Sequence, residues 1–288
     1  MVVLVDSVLE SKTWQQLEQE HQQRADNLTA GYRERRKIGE KHPVEDFLYS
    51  YYSLKPSQLR RWHPGGTVEL IGAQLSPRKQ WRWYRETKDG LVFDLKQFME
   101  DRGDSVRFIK EFLLRTSTRE ARFGCFGLHE WAMVYKLDEH DIRHQVPLRL
   151  GSQGTDAVVE THQINCSHFD AFRFYTKEAK PLNRIQPTRA TQIELDQPGC
   201  LHVGMDLYKW AYKLGPLIPG SLLLDCFELA RDIRVLDMEA SPYDITAWGY
   251  GVVPIETKEG KEQYMLRQKE FSVRGQKLRQ KIIEALPV

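Results

Sequence analysis

The side chains best suited to chemistry lie between Phe123 and Arg173. There Gly124-Cys125-Phe126-Gly127-Leu128-His129-Glu130-Trp131 leads through Asp141, His144 and Arg149 to Cys166-Ser167-His168-Phe169-Asp170-Ala171-Phe172-Arg173. Imidazoles, carboxylates and thiols in such apolar surroundings are costly to bury unpaired, so they imply a hydrogen-bonded network, a site, or both. His168 and Asp170 are the sharpest pair. With Ser167 as a helix cap, Arg173 follows Asp170 by three residues and can reach its carboxylate. That pair reads as a structural ion bridge beside a Phe169, Phe172 seam, or as a carboxylate kept ready as a general base or charge stabiliser. His129 reads as a hydrogen-bonded histidine at a helix start or as a ligand contact, and Glu130 as a third candidate carboxylate. His129, Cys166 and His168 are zinc-ligand types and form the one possible zinc set, although their spacing fits no zinc signature; no other cofactor is expected.

A second cluster, Gln197-Pro198-Gly199-Cys200-Leu201-His202-Val203-Gly204-Met205-Asp206, continues into Leu207-Tyr208-Lys209-Trp210. Asp206 follows a glycine before a helical pattern, so it reads as a cap. Together with Lys209 and Trp210 it also supplies an acid, a base and a flat ring for a polar ring ligand. Asp237-Met238-Glu239-Ala240-Ser241-Pro242-Tyr243-Asp244 reads as a helix stop that could close over the same pocket. Two stretches interleave cations and rings: Arg60-Arg61-Trp62-His63, and Arg78-Lys79-Gln80-Trp81-Arg82-Trp83-Tyr84-Arg85. Arg60, Arg61, Arg82 and Arg85 could hold a phosphate backbone while tryptophans stack bases. The competing reading is core tryptophans with a solvated basic outer face.

These residues need elements to hold them. A polar helix is expected over 11–41, ended by His42-Pro43, and an aromatic helix over 44–52. Residues 67–71, 80–84 and 91–93 read as strands with an Asp89-Gly90 turn. Helices are expected over 94–99, 105–117, 167–175, 205–214, 222–237 and 260–286. Residues 157–164 alternate like a strand, and 183–198 read as a polar loop. The fold class is therefore α+β, predominantly helical, with a small β-hairpin element. Its organisation is an N-terminal polar helix (1–41) followed by a single globular domain (42–288) with a central polar and aromatic pocket.

The 288 residues suffice for one sizeable core. A formal charge of +2 gives no global pull toward nucleic acid or membrane. Four scattered cysteines argue against a disulfide framework, no apolar run could span a bilayer, and cytoplasmic residence is expected. The phosphate-loop, dinucleotide, nucleophile-elbow and H-E-x-x-H signatures are absent.

The strings Lys41-His42-Pro43-Val44-Glu45-Asp46-Phe47-Leu48-Tyr49-Ser50-Tyr51-Tyr52, Leu59-Arg60-Arg61-Trp62-His63-Pro64-Gly65 and Gly127-Leu128-His129-Glu130-Trp131 carry a resemblance. So do Cys166-Ser167-His168-Phe169-Asp170, Met205-Asp206-Leu207-Tyr208-Lys209-Trp210 and Ala240-Ser241-Pro242-Tyr243-Asp244. Over most of its length beyond residue 40 the chain resembles an actinobacterial-type family labelled 3-methyladenine DNA glycosylase. The resemblance implies a DNA-repair hydrolase that releases a damaged or modified purine. The Gly and Pro cluster at 214–220 does not fit the hairpin of the helical glycosylases, so no catalytic residue carries over by motif. From the residues themselves, Asp170, Asp206 and Glu130 are the candidate catalytic acids. His129, His168, Arg173 and Lys209 are candidate substrate contacts, with Trp131, Tyr208 and Trp210 as stacking rings. The alternatives are a hydrolase or transferase acting on a small nucleotide or polar metabolite, possibly metal-dependent, and a non-catalytic interaction protein.

Overall fold

Gln, Glu, Lys and Arg are good helix formers, and a thin apolar stripe gives the polar N-terminal stretch one face to dock. The computed structural model describes residues 7–138 and 146–287, so Asp141 and His144 lie outside the described residues. The polar stretch forms α1 (Ser11–Ile38), which buries Trp14, His21, Ala25 and Thr29 and ends at Gly39 in the left-handed region, φ 75°. In front of it, β1 (Ser7–Leu9) pairs in parallel with β2 (Val68–Ile71). β2 pairs antiparallel with β4 (Gly90–Phe93), whose other edge carries β3 (Tyr84–Glu86). The sheet order is β1-β2-β4-β3, and the β3–β4 hairpin turns through Asp89-Gly90.

The remaining helices are α2 (Phe47–Tyr51), α3 (Pro56–Leu59), α4 (Leu95–Thr118), α5 (Leu128–Ala132), α6 (Gly151–Thr161), α7 (Phe169–Phe172), α8 (Gln192–Leu195), α9 (Leu201–Leu214), α10 (Gly220–Glu239) and α11 (Lys258–Glu284). The fold is α+β and mostly helical. α9 and α10 form a hairpin at its centre, with α11 packed against both. They approach closely where Gly204 faces α10; a Cβ there would lie 2.8 Å from Ile233 Cδ1. Eleven of the fourteen residues of α9 are buried, so its polar side chains, His202 and Asp206, sit inside the core rather than on a surface.

Several local expectations are corrected. Residues 157–161 are helical, in α6, because Thr155, Val158 and Val159 are its buried positions; three such residues fit either period in so short a run. Residues 80–84 are not a continuous strand. Pro77 opens a tight turn (Pro77–Gln80), and Trp83 takes φ 66°. The turn drives Arg78 inward, where it is 1% exposed, bonded to Glu18 and Trp62 O and set among the Trp14, Trp62 and Trp81 rings. Residues 95–118 form one helix that runs through a buried Gly103, not two. Asp206 is no cap. Its helix, α9, already starts at Leu201 with Cys200 as the N-cap, which puts Asp206 in the helix interior. His168, not Ser167, caps α7, its Nδ1 accepting from the Ala171 N–H at 3.3 Å.

Candidate active site

Gly127, at φ 69°, turns the chain into α5 and points His129 and Glu130 toward α10. One turn of α10 presents Arg234 and Asp237 on the same side. Arg234 Nη1 donates to Glu130 Oε1 at 2.8 Å and to Asp237 Oδ2 at 2.7 Å. Asp237 Oδ1 lies 2.8 Å from His129 Nε2. The His129 ring meets His202 edge-on at 4.4 Å, and His202 lies near-parallel to His168 at 5.2 Å. His168 Nε2 is 3.3 Å from Asp206 Oδ2, which also takes Lys209 Nζ at 2.5 Å. Tyr52 donates its hydroxyl to Asp206 Oδ1 at 3.0 Å. Lys209 Nζ is 3.8 Å from Asp170 Oδ2, and Asp170 Oδ1 is 3.3 Å from Arg173 Nε and 3.7 Å from Arg189.

This chain of polar and ring contacts starts at Glu130 and ends at Asp170, and both acids line the same cavity of about 290 Å³. His202, midway along the chain, reaches that cavity too. Its aromatic lining includes Phe47, Tyr51 and Phe174. Phe47 and Tyr51 stack at 5.0 Å, and the Arg234 guanidinium lies 4.0 Å from the Phe47 centroid. Burial alone would raise the Asp206 carboxyl, but Lys209 and His168 hold it well below the usual carboxylate range. Asp237 is held low in the same way, against burial, by His129, His202 and Arg234. Burial pushes His202 well below its ordinary value. Burial opposes charge on His168 as well, yet Asp196 and Asp206 lift it above its ordinary value. Burial raises Asp196 itself to about 6.

Thus Glu130, Asp170, Asp206, His129, His168, Arg173 and Lys209 are brought into one network. Asp206 and His168 lie beneath the cavity rather than on it. The three expected stacking rings are not in its lining. Trp131 donates its indole N–H to Ala240 O at 2.9 Å in the interior. Tyr208 is wedged between Tyr52 and Phe227. Trp210 packs on Phe112. All three are core fillers, because an aromatic on a central helix finds most area to bury there. The possible zinc set of His129, Cys166 and His168 does not come together: the Cys166 thiol lies against the His168 carbonyl, pushed up to about 12 by burial, and His129 instead groups with His202 and Asp237.

The four arginines lie elsewhere. Arg60 pairs with Asp26 at 3.0 Å and Arg82 with Asp101 at 2.7 Å, Arg85 is 4.0 Å from Asp94, and Arg61 sits over Trp81. Arg61 and Arg82 line a separate groove of about 560 Å³ with Trp81, Trp83, Arg102 and Lys213. His202 and Asp237 lay in strings already singled out but were given no role, and Arg234, Phe47, Tyr51 and Tyr52 were not read as site residues. For all but Arg234, the available signal was a position inside already polar or aromatic strings. No protein-family model, curated protein or solved structure matches the chain.

Proposed function

We propose that the chain hydrolyses an N-glycosidic bond, releasing a purine that carries a positive charge, as an alkylated base does. The observation that supports it most is the meeting of Glu130 and Asp170 on one aromatic cavity of single-base size. Aromatic faces and carboxylates both favour a cationic ring over a neutral one. Phe47 and Tyr51 would stack the base, and Asp170 would face the sugar. Water attacks the anomeric carbon, the carbon–nitrogen bond breaks with its electron pair passing to the base, and the water proton goes to Asp170. A cationic base leaves as a neutral molecule and needs no acid. The carboxylate also stabilises positive charge developing on the sugar. Asp170 is held at the cavity by cations, Arg173 and Arg189 at Oδ1 and Lys209 at Oδ2.

The test is base release from alkylated DNA and from the matching free nucleoside. Asp170→Asn should lower the rate about 10²–10³-fold, the usual loss of one charge-stabilising group. A variant as fast as the parent chain removes this reading. A small free nucleotide is the competing substrate, favoured by the +2 charge and by the pairing of Arg60, Arg82 and Arg85 with carboxylates. Turnover of the nucleoside alone would select it.

A further inference from the structure

We propose that His129, His202 and Asp237 bind one divalent transition-metal ion, with zinc the best match to the donors. The three residues come from α5, α9 and α10, and one ligand atom of each lies within 4.8 Å of the other two. All three are buried, at 3%, 5% and 0% exposure, so this is not a fringe of surface acids. Two imidazoles and one carboxylate suit zinc and its neighbours better than magnesium or calcium, which prefer all-oxygen shells. Among the described residues no cysteine joins the group, although Cys125, Cys166 and Cys200 share a cavity with His129.

Two further features point to a cation. Glu130 and Asp237 are two buried carboxylates that share one guanidinium, Arg234, so with neutral histidines the cluster carries a formal negative charge. Buried charge of that kind is compensated by a partner or a metal. Arg234 also holds Asp237 Oδ2 at 2.7 Å, orienting the carboxylate from behind and leaving Oδ1 to face the histidines, as an outer-shell group does. His129 Nε2 and Asp237 Oδ1 are now 2.8 Å apart. Ligand atoms about 2.0–2.1 Å from a tetrahedral zinc are ~3.3 Å from each other, so this edge needs to open by only about 0.5 Å. His202 borders the cavity that holds Glu130 and Asp170, so an ion held by it would lie beside that cavity, where a fourth ligand could be water. Three protein ligands with one open position is the arrangement in which a metal ion activates water.

The full chain, stripped with a chelator, would be titrated with zinc against a chromophoric competitor, and its cobalt form recorded for visible absorption. One equivalent should bind. His202→Ala should weaken binding at least ~100-fold, beyond the ~10–100-fold typical of an outer-shell group, while Cys166→Ala keeps it. A folded parent chain that takes up no zinc overturns the proposal, and so does undiminished binding by His202→Ala. Should His202→Ala fail to fold, the cobalt spectrum of the parent decides: tetrahedral nitrogen and oxygen ligation supports the site, and thiolate charge-transfer bands reject it. Metal binding is read independently of base release, so either proposal can fail alone.

Discussion

Arg234 is a single guanidinium serving two buried carboxylates, and the stakes at that residue are correspondingly high. Removing one partner of a buried ion pair costs about 3–5 kcal/mol, because the other charge stays behind without compensation. Arg234→Met should show a loss of that size in urea unfolding, with part of it recovered when Glu130→Gln is added. A loss under about 1 kcal/mol would mean that water reaches the cluster. The titrating groups fix the sign of the pH response. Asp206 and Asp237 have folded values below their unfolded ones. Their stabilisation is complete above about pH 4 and is lost as pH falls through the folded values. His202 is depressed too, so protonation opposes folding below about pH 6.5. His168 is raised and acts oppositely: its contribution is present below about pH 6.5 and fades as pH rises through its folded value. Stability should therefore fall on the acid side, from His202 first and the two aspartates last. Asp206→Asn should flatten the most acid portion, and a profile level from pH 7 to 3 would contradict the assignment.

At the scale of elements, the site depends on where α9 starts. Pro198-Gly199 ends the preceding loop, and Gly199 lies so close to the segment before α5 that a Cβ there would be 2.5 Å from Arg122 O. The backbone oxygen cannot swing aside as a side-chain tip could. Gly199→Ala should therefore cost about 1–3 kcal/mol in chemical unfolding and disturb His129 and His202 together. A neutral substitution would show that the two segments move independently. The helices over 11–38 and 258–284 were legible because each presents many turns of one period. α6 was misread because a short apolar run with Val158 and Val159 satisfies both periods, and only the neighbour it packs against chooses.

At the scale of the whole molecule, the cavity and the basic groove are joined by one helix. α9 carries His202 at the cavity and Lys213 at the groove, eleven residues apart, about 16 Å along the axis. If the base is presented on DNA, Arg61, Arg102 and Lys213, with Arg82 paired to Asp101 beside them, are the groove's cations that would meet its backbone. Arg61→Ala and Lys213→Ala should then weaken DNA binding at low salt and each lower the salt slope by about one, leaving nucleoside turnover unchanged. Equal binding by both variants would leave the groove without that role. Among the described residues, no helix is long and apolar enough to cross a membrane.

Composition, helical periodicity and the Asp-Gly turn determined the fold class and the main helices, because those signals are local and repeat along the chain. They also singled out the segments that carry Glu130, Asp170 and Asp206, which the fold joins in one network. Only the tertiary structure decided which of them share a wall. Glu130 meets Arg234 across 104 residues and His129 meets Asp237 across 108. Contacts over such separations are chosen by how the α9–α10 hairpin packs. The same packing made Trp131, Tyr208 and Trp210 filling and left Phe47 and Tyr51 to face the cavity.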